Sequence, residues 1–310
     1  LNIEAEIASS WSVSPDGLIY TFYLRDDVYF HESPIFGKKK TRKVEAKDFV
    51  FSFDRLKDPL VASPGSWILQ NVEKYEATAE DILTITLKNP FPAFLGLLTM
   101  RYCSVVPKEV TTNYGLNFRS NPIGTGPFYF KRWDENVKLV LLKNQKYFEK
   151  DKKGNQLPFL DAIAIRFIPD IQSEFMLFLQ GKLDFINSLD ASYKDELLDY
   201  DGTLRSKYYA KINMLKGPYL NSEYIGIYLD SKNPAIKSKK IRKALNIGFD
   251  RKLMVAFLRN NIGYPAKKGF IPKGLPGTSD EEIEYDPKLA KRLVEDYIKQ
   301  SGERPTLKSA

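Results

Sequence analysis

Asn121-Pro-Ile-Gly-Thr-Gly-Pro-Phe-Tyr-Phe-Lys-Arg-Trp133 is the stretch from which the rest of the chain is read. Pro122, Gly124, Gly126 and Pro127 crowd into six positions. Two rigid residues flank two permissive ones, so the backbone is held in a defined turn. Phe128 and Phe130, and then Lys138-Leu-Val-Leu-Leu142, follow at strand spacing, which predicts a tight turn leading into a β-hairpin. The glycines fit no phosphate-binding pattern: there is neither Gly-x-x-x-x-Gly-Lys-Ser/Thr nor Gly-x-Gly-x-x-Gly. Two readings remain for them. They form a structural turn, or they leave backbone bare so that a ligand or another segment comes close.

Working outward, the region before the turn is rich in strands. Pro15-Asp16-Gly17 is a turn by its chemistry, and Tyr20, Phe22 and Leu24 alternate after it. Val28 and Phe30 resume the alternation beyond Arg25-Asp26-Asp27. Phe49, Val50, Phe53 and Leu56 then fall at helical spacing, and Asp58-Pro59 ends that helix. Residues 67–74 read as helix running into loop. Asp81–Leu87 alternates as a strand, Phe94–Met100 is helix-like, and Lys108 and Glu109 open a further helix. After the turn, Ala162–Ile168 alternates strongly, a helix capped by Ser173 runs to Leu179, and Lys182–Ile186 reads as a strand. That order predicts a crossover unit in a parallel or mixed sheet. Tyr224–Leu229 reads as a strand, Ser238–Phe249 and Asp250–Leu258 as helices, and Asp286-Pro287 as the start of a last helix.

The totals set bounds. The chain's 310 residues suffice for two domains or one large one. No stretch approaches eighteen uninterrupted apolar residues. It opens with Leu1-Asn-Ile-Glu and closes on Thr306-Leu-Lys-Ser-Ala310, and both ends read as cuts through a longer protein. Cys103 alone forms no internal disulfide and His31 alone forms no His-rich metal site. Net charge is +8, and the run Lys38-Lys-Lys-Thr-Arg-Lys43 reads as a solvated loop; nucleic acid is not expected as a partner. Candidate chemistry is sparse. Asp26 with Asp27, and Glu281 with Glu282, sit in turn-like segments; a glycosidase pair would be held apart across a pocket. His31 reads as a surface or core histidine before a general base, and Cys103 as a small core residue before a reactive thiol. Tyr102, Tyr224 and Tyr228 stand near expected element ends, where an apolar ring with a polar tip suits peptide or sugar ligands.

These segments together resemble family 5 of the extracellular solute-binding proteins, the peptide/nickel class of ABC-importer receptors. The resemblance rests on the Trp11–Phe30 stretch, on Val44-Glu-Ala-Lys-Asp-Phe-Val-Phe-Ser-Phe53 and on the Gly-Thr-Gly-Pro turn of Asn121–Phe128. It rests also on Leu160-Asp-Ala-Ile163, Gly181-Lys-Leu-Asp-Phe185 and Lys240–Arg251. It implies an α/β fold of the two-lobed periplasmic-binding-protein type II, with mixed sheets and an incomplete second lobe. Residues 1–119 would be a small subdomain of the first lobe, 120–220 its main sheet subdomain, and 221–310 the start of the second. It implies no catalysis and no cofactor or metal. A short peptide would close between the lobes, and ABC permease subunits would receive it. The location would be the periplasm or cell envelope, with a lipid anchor as one mode. The pocket edge would be Gly124, Thr125 and Gly126, backed by Tyr102, Cys103, Ser188 and Tyr224. Tyr228 departs from the asparagine common there in the family. The alternatives are a receptor for a nickel chelate or an oligosaccharide, or a carbohydrate hydrolase with a carboxylate pair.

Overall fold

The computed structural model describes residues 2–187, 193–217, 220–259 and 261–306. The chain divides into two compact units, residues 1–170 and 171–310.

The first unit holds two antiparallel sheets. Strands β1 (Ala8–Val13) and β2 (Ile19–Leu24) form the expected hairpin. Its turn works as the sequence predicts. Gly17 takes a φ of +72°, Asp16 Oδ1 accepts from Leu18 N–H at 3.1 Å, and Ser14 Oγ accepts from Ile19 N–H at 2.9 Å. Helix α1 (Ala46–Lys57) follows, with Asp48 reaching back to Glu45 N–H at 2.9 Å. Then come β3 (Val72–Ala79) and β4 (Ile82–Leu87), and the sheet order is β1-β2-β4-β3. On β4, Leu83, Ile85 and Leu87 are buried between half-buried threonines, so one face meets the core. Ala46, Phe53 and Leu56 of α1 cover that core together with Phe94 from helix α2 (Phe94–Leu98). Fully burying a ring such as Phe94 contributes about 2–3 kcal/mol.

Helix α3 (Lys108–Tyr114) leads towards the glycine turn. A second cluster forms around Val28, Phe30, Val44, Val105, Val110 and Ile123. Strands β5 (Phe128–Asp134), β6 (Lys138–Lys143) and β7 (Ala162–Arg166) make a three-stranded sheet in that order, with Phe130 opposite Leu141.

The second unit is helical: α4 (Ile171–Leu179), α5 (Lys194–Leu197), α6 (Pro234–Lys237), α7 (Lys239–Ile247), α8 (Arg251–Arg259) and α9 (Pro287–Ser301). Ile241, Ala244 and Ile247 of α7 pack with Ala290 and Tyr297 of α9 in two small clusters. Asp286 caps α9 by accepting from Leu289 N–H at 2.8 Å, with Pro287 in the first turn, as its sequence predicts.

Four local expectations change. Residues 72–79 form a strand whose first three residues fall at the loop end of the expected 67–74 segment, because β4 offers an edge to pair with. Helix α4 begins at Ile171, two residues ahead of Ser173, so Ser173 lies inside the first turn. Lys182–Ile186 and Tyr224–Leu229 form no strand. A strand exists only against a partner, and the parallel pairing expected of the 162–186 crossover is absent among the described residues.

Candidate functional site

The glycine turn is fixed from below and from both sides. Ile123 is 8% exposed and anchors the turn in the second cluster, where Phe30 also sits. Phe30 delivers the next residue, His31, to the turn. His31 N–H donates to Gly124 C=O at 2.8 Å, and Gly124 N–H donates to His31 Nδ1 at 3.3 Å. With Nδ1 accepting, the ring proton belongs on Nε2, which donates to Gly126 C=O at 2.9 Å. From the other side Asn144, just past β6, donates its side-chain N–H to the same Gly126 oxygen at 3.0 Å and its backbone N–H to Pro127 C=O at 2.8 Å. Burial pushes the His31 pKa down, with the bond to Gly126 pulling back, so the imidazole is held neutral. Both ring nitrogens are committed to backbone, which leaves neither free as a general base.

The glycines themselves have spare room. A Cβ on Gly126 would meet nothing within 4 Å, and one on Gly124 only His31 Cε1 at 3.9 Å. Neither glycine takes a positive φ. Within this unit, then, neither backbone angle nor crowding requires glycine at either position. What their bareness provides is close access to a turn whose position His31 and Asn144 fix. A polar hollow of about 120 Å³ opens beside the turn, lined by His31, Glu32, Ser33, Asn121 and Tyr129. An apolar hollow of about 350 Å³ lies by Pro127, Phe128, Tyr147, Pro158 and Phe159.

The other expected site residues are placed as follows. Gly124, Thr125 and Gly126 form one half-buried turn. Tyr102 and Cys103 lie in a short turn of helix, residues 101–103, against the first core cluster. The Tyr102 ring lies directly over Gly65, where a Cβ would stand 2.4 Å from its Cγ. Cys103 is 7% exposed, and burial pushes its thiol up to about 11. Tyr224, in the second unit, is 71% exposed and meets Phe270 edge to face at 5.3 Å. Ser188 lies outside the described residues.

The sequence reading missed two functional parts. His31 reaches Gly126 across 95 positions and Asn144 reaches it across 18, and no local pattern carries contacts so distant. The basic run also divides. Lys38, Lys39 and Lys40 are exposed, but Arg42 turns inward. Its guanidinium bonds Asp48 at 2.7 and 2.8 Å and Glu109 at 2.7 and 2.8 Å, under the Phe30 ring at 5.0 Å. Burial opposes its charge, but the bonds to Asp48 and Glu109 hold its pKa above the ordinary value. Among the described residues no group of three or more His, Cys, Asp or Glu is placed to hold a metal ion. Nor is any helix among them long and apolar enough to cross a membrane.

The model of the bacterial extracellular solute-binding proteins, family 5 Middle, matches residues 2–303. The heme-binding protein A of Haemophilus influenzae is 29% identical, over 94% of this chain and 53% of its own length. A probable di/tripeptide-binding protein of Pseudomonas aeruginosa is 28% identical, over 93% of this chain and 54% of its own. The periplasmic binding protein DppA of Helicobacter pylori, solved with the peptide STSA, aligns with a TM-score of 0.77 at 27% identity. That alignment covers 97% of this chain and 58% of DppA. The chain thus spans about half the length of the curated relatives it matches.

Proposed function

The chain belongs to family 5 of the bacterial extracellular solute-binding proteins, and on that premise we propose that it is part of a receptor that captures short peptides for an ABC importer. The receptor holds its peptide between two lobes and passes it to permease subunits in the membrane. It works in the periplasm or cell envelope, with a lipid anchor as one mode of retention. Residues 1–119 and 120–220 are read as the two parts of the first lobe, and 221–310 as the start of the second. The pocket edge is Gly124, Thr125 and Gly126, with Tyr102, Cys103, Ser188 and Tyr224 as supporting positions.

The observation that carries this reading is the bare, doubly held turn. A peptide is recognised across many sequences through its main chain, which needs main-chain groups of fixed position and no side chain in the way. Gly126 has that open side, and His31 and Asn144 fix the turn by engaging Gly124 and the Gly126 C=O, which leaves the Thr125 and Gly126 N–H groups to meet a ligand's main chain. The peptide-binding relatives point the same way. Binding without chemistry is supported by a histidine with both nitrogens engaged and a thiol raised to about 11. A second reading, capture of another small solute such as a nickel chelate or an oligosaccharide, draws on relatives named for other solutes, a heme-binding protein and, for the nickel chelate, NikZ of Campylobacter jejuni solved with Ni(L-His).

Native mass spectrometry of the gently purified full-length protein tests the proposal. A heterogeneous set of bound short peptides is expected, and a single non-peptide mass would favour the second reading. Gly126→Ala is the matching variant. Open space at the Cβ predicts stability unchanged or raised by about 0.4–1 kcal/mol, with peptide affinity falling about tenfold as the methyl meets the ligand, or about 1.4 kcal/mol. Unchanged affinity would remove Gly126 from the pocket edge.

A further inference from the structure

Residues 231–249 contain Lys232, Lys237, Lys239, Lys240, Arg242 and Lys243, and no carboxylate. Elsewhere in the same unit, some cations pair with described carboxylates and others, such as Lys288, Lys291 and Lys299 of α9, do not. Lys252 pairs with Glu282, Arg259 with Glu223, Lys268 with Glu281 and Lys207 with Glu196. None of the five lysines within 231–249 forms an ion pair with a described carboxylate. Arg242 alone is spent internally, donating to Ile236 C=O at 3.0 Å and Lys237 C=O at 2.7 Å at the end of α6.

The scaffold beneath them is fixed. Ile241, Ala244 and Ile247 bury one face of α7 against α9. At 100° per residue the opposite face presents Lys239 and Lys243 one turn apart, both exposed. Leu245, 44% exposed, lies on the other flank of α7 from Lys243, Phe249, 45% exposed, follows the helix, and Lys237 ends α6 with Lys232 just ahead of it.

The residue types indicate what this face meets. Lysine is a hydrated point charge on a flexible stem, suited to a diffuse anionic field more than to a shaped partner. Protein interfaces are depleted in lysine. Anionic lipid headgroups recruit lysines additively, and apolar residues beside them settle at the headgroup boundary. We propose that the basic α6–α7 segment docks on an anionic lipid surface, with Lys232, Lys237, Lys239 and Lys243 over the headgroups. This would hold a solute receptor close to the membrane that contains its permease.

Sedimentation of the full-length protein with phosphatidylcholine vesicles, with and without phosphatidylglycerol, tests it. Binding only to the phosphatidylglycerol vesicles, released by salt, is expected. Each lysine replaced by glutamine should weaken it about fivefold. The control removes similar charge elsewhere: Lys38→Gln with Lys39→Gln and Lys40→Gln should leave binding intact. Equal binding to phosphatidylcholine, undiminished binding after all four α6–α7 replacements, or an equal loss in the control would overturn the proposal. So would loss of transport in the fourfold variant without any vesicle binding, which would assign the face to a protein. Peptide capture in solution, read by native mass spectrometry, should be unchanged in the fourfold variant, so the two readings fail separately.

Discussion

Replacing His31 separates the two bonds by which it holds the glycine turn. In His31→Leu both bonds go, but the two backbone groups fare differently. Gly126 C=O keeps the Asn144 side-chain donor at 3.0 Å, so it stays satisfied. Gly124 N–H donates to Nδ1 at 3.3 Å and would lose that acceptor. Losing the bonds costs about 1 kcal/mol each, and an orphaned buried donor about 1–3 kcal/mol, so His31→Leu should cost about 2–4 kcal/mol once these overlap. In His31→Asn the side-chain oxygen stands near the position of Nδ1 and still accepts from Gly124. That variant loses only the doubly served contact to Gly126, and should cost about 1–2 kcal/mol. The order is the informative part, because asparagine is smaller than leucine and leaves the larger void. Urea unfolding followed by tryptophan fluorescence reads the correct unit, since Trp11, Trp67 and Trp133 all lie within residues 1–170. If His31→Asn proves as destabilising as His31→Leu, the hydrogen-bond account of this turn is wrong and packing alone explains the residue.

Two further outcomes follow from the same structure. Because folding holds His31 neutral, with its pKa below the unfolded value of about 6.5, the unfolded chain binds more protons between those two values. Its contribution is therefore complete above about pH 6.5 and is lost as pH falls towards the folded pKa, with a slope of at most about 1.4 kcal/mol per pH unit. The difference in unfolding free energy between wild type and His31→Asn should shrink over that window; a constant difference would count against the neutral staple. Arg42→Met should cost about 3–5 kcal/mol by stranding Asp48, whose side chain is 3% exposed. Adding Asp48→Asn, which removes the charge but keeps an acceptor for Glu45 N–H, should recover part of that loss in the same urea measurement, and no recovery would mean that the ion network is not the cause.

Much of the fold was legible because its signals are local. Pro15-Asp16-Gly17 sets a hairpin through its own side chains, and Asp286-Pro287 starts a helix in the same way. The glycine turn and β5–β6 were readable because proline, glycine and alternation act within a few residues. The misses share a different origin. Val72–Ala79 carries Glu73, Lys74 and Glu76, so its pattern is that of a polar loop, and only the edge offered by β4 makes it a strand. Tyr224–Leu229 has the opposite history: its composition suits a strand, but no partner among the described residues receives it. Arg42 looked like one more solvated cation, since its carboxylates arrive from positions 48 and 109. At the site, glycine and threonine were visible as a turn, whereas the two side chains that fix it come from 31 and 144. The lysines at 232–243 stood out less than the run at 38–43 because Ser238 and Ile241 interrupt them; within α7 helical geometry brings Lys239 and Lys243 one turn apart, while Ser238 separates α6 from α7.

Gly65 and Tyr102 share one allotment of space: the Cβ that residue 65 lacks would coincide with the ring that residue 102 places there. Residue 65 therefore cannot grow unless residue 102 shrinks. A library randomised at residue 65 alone should return glycine, whereas one randomised at both should return compensating pairs, larger at 65 with smaller at 102. The order of change is thus set: a smaller residue at 102 has to come before a larger one at 65.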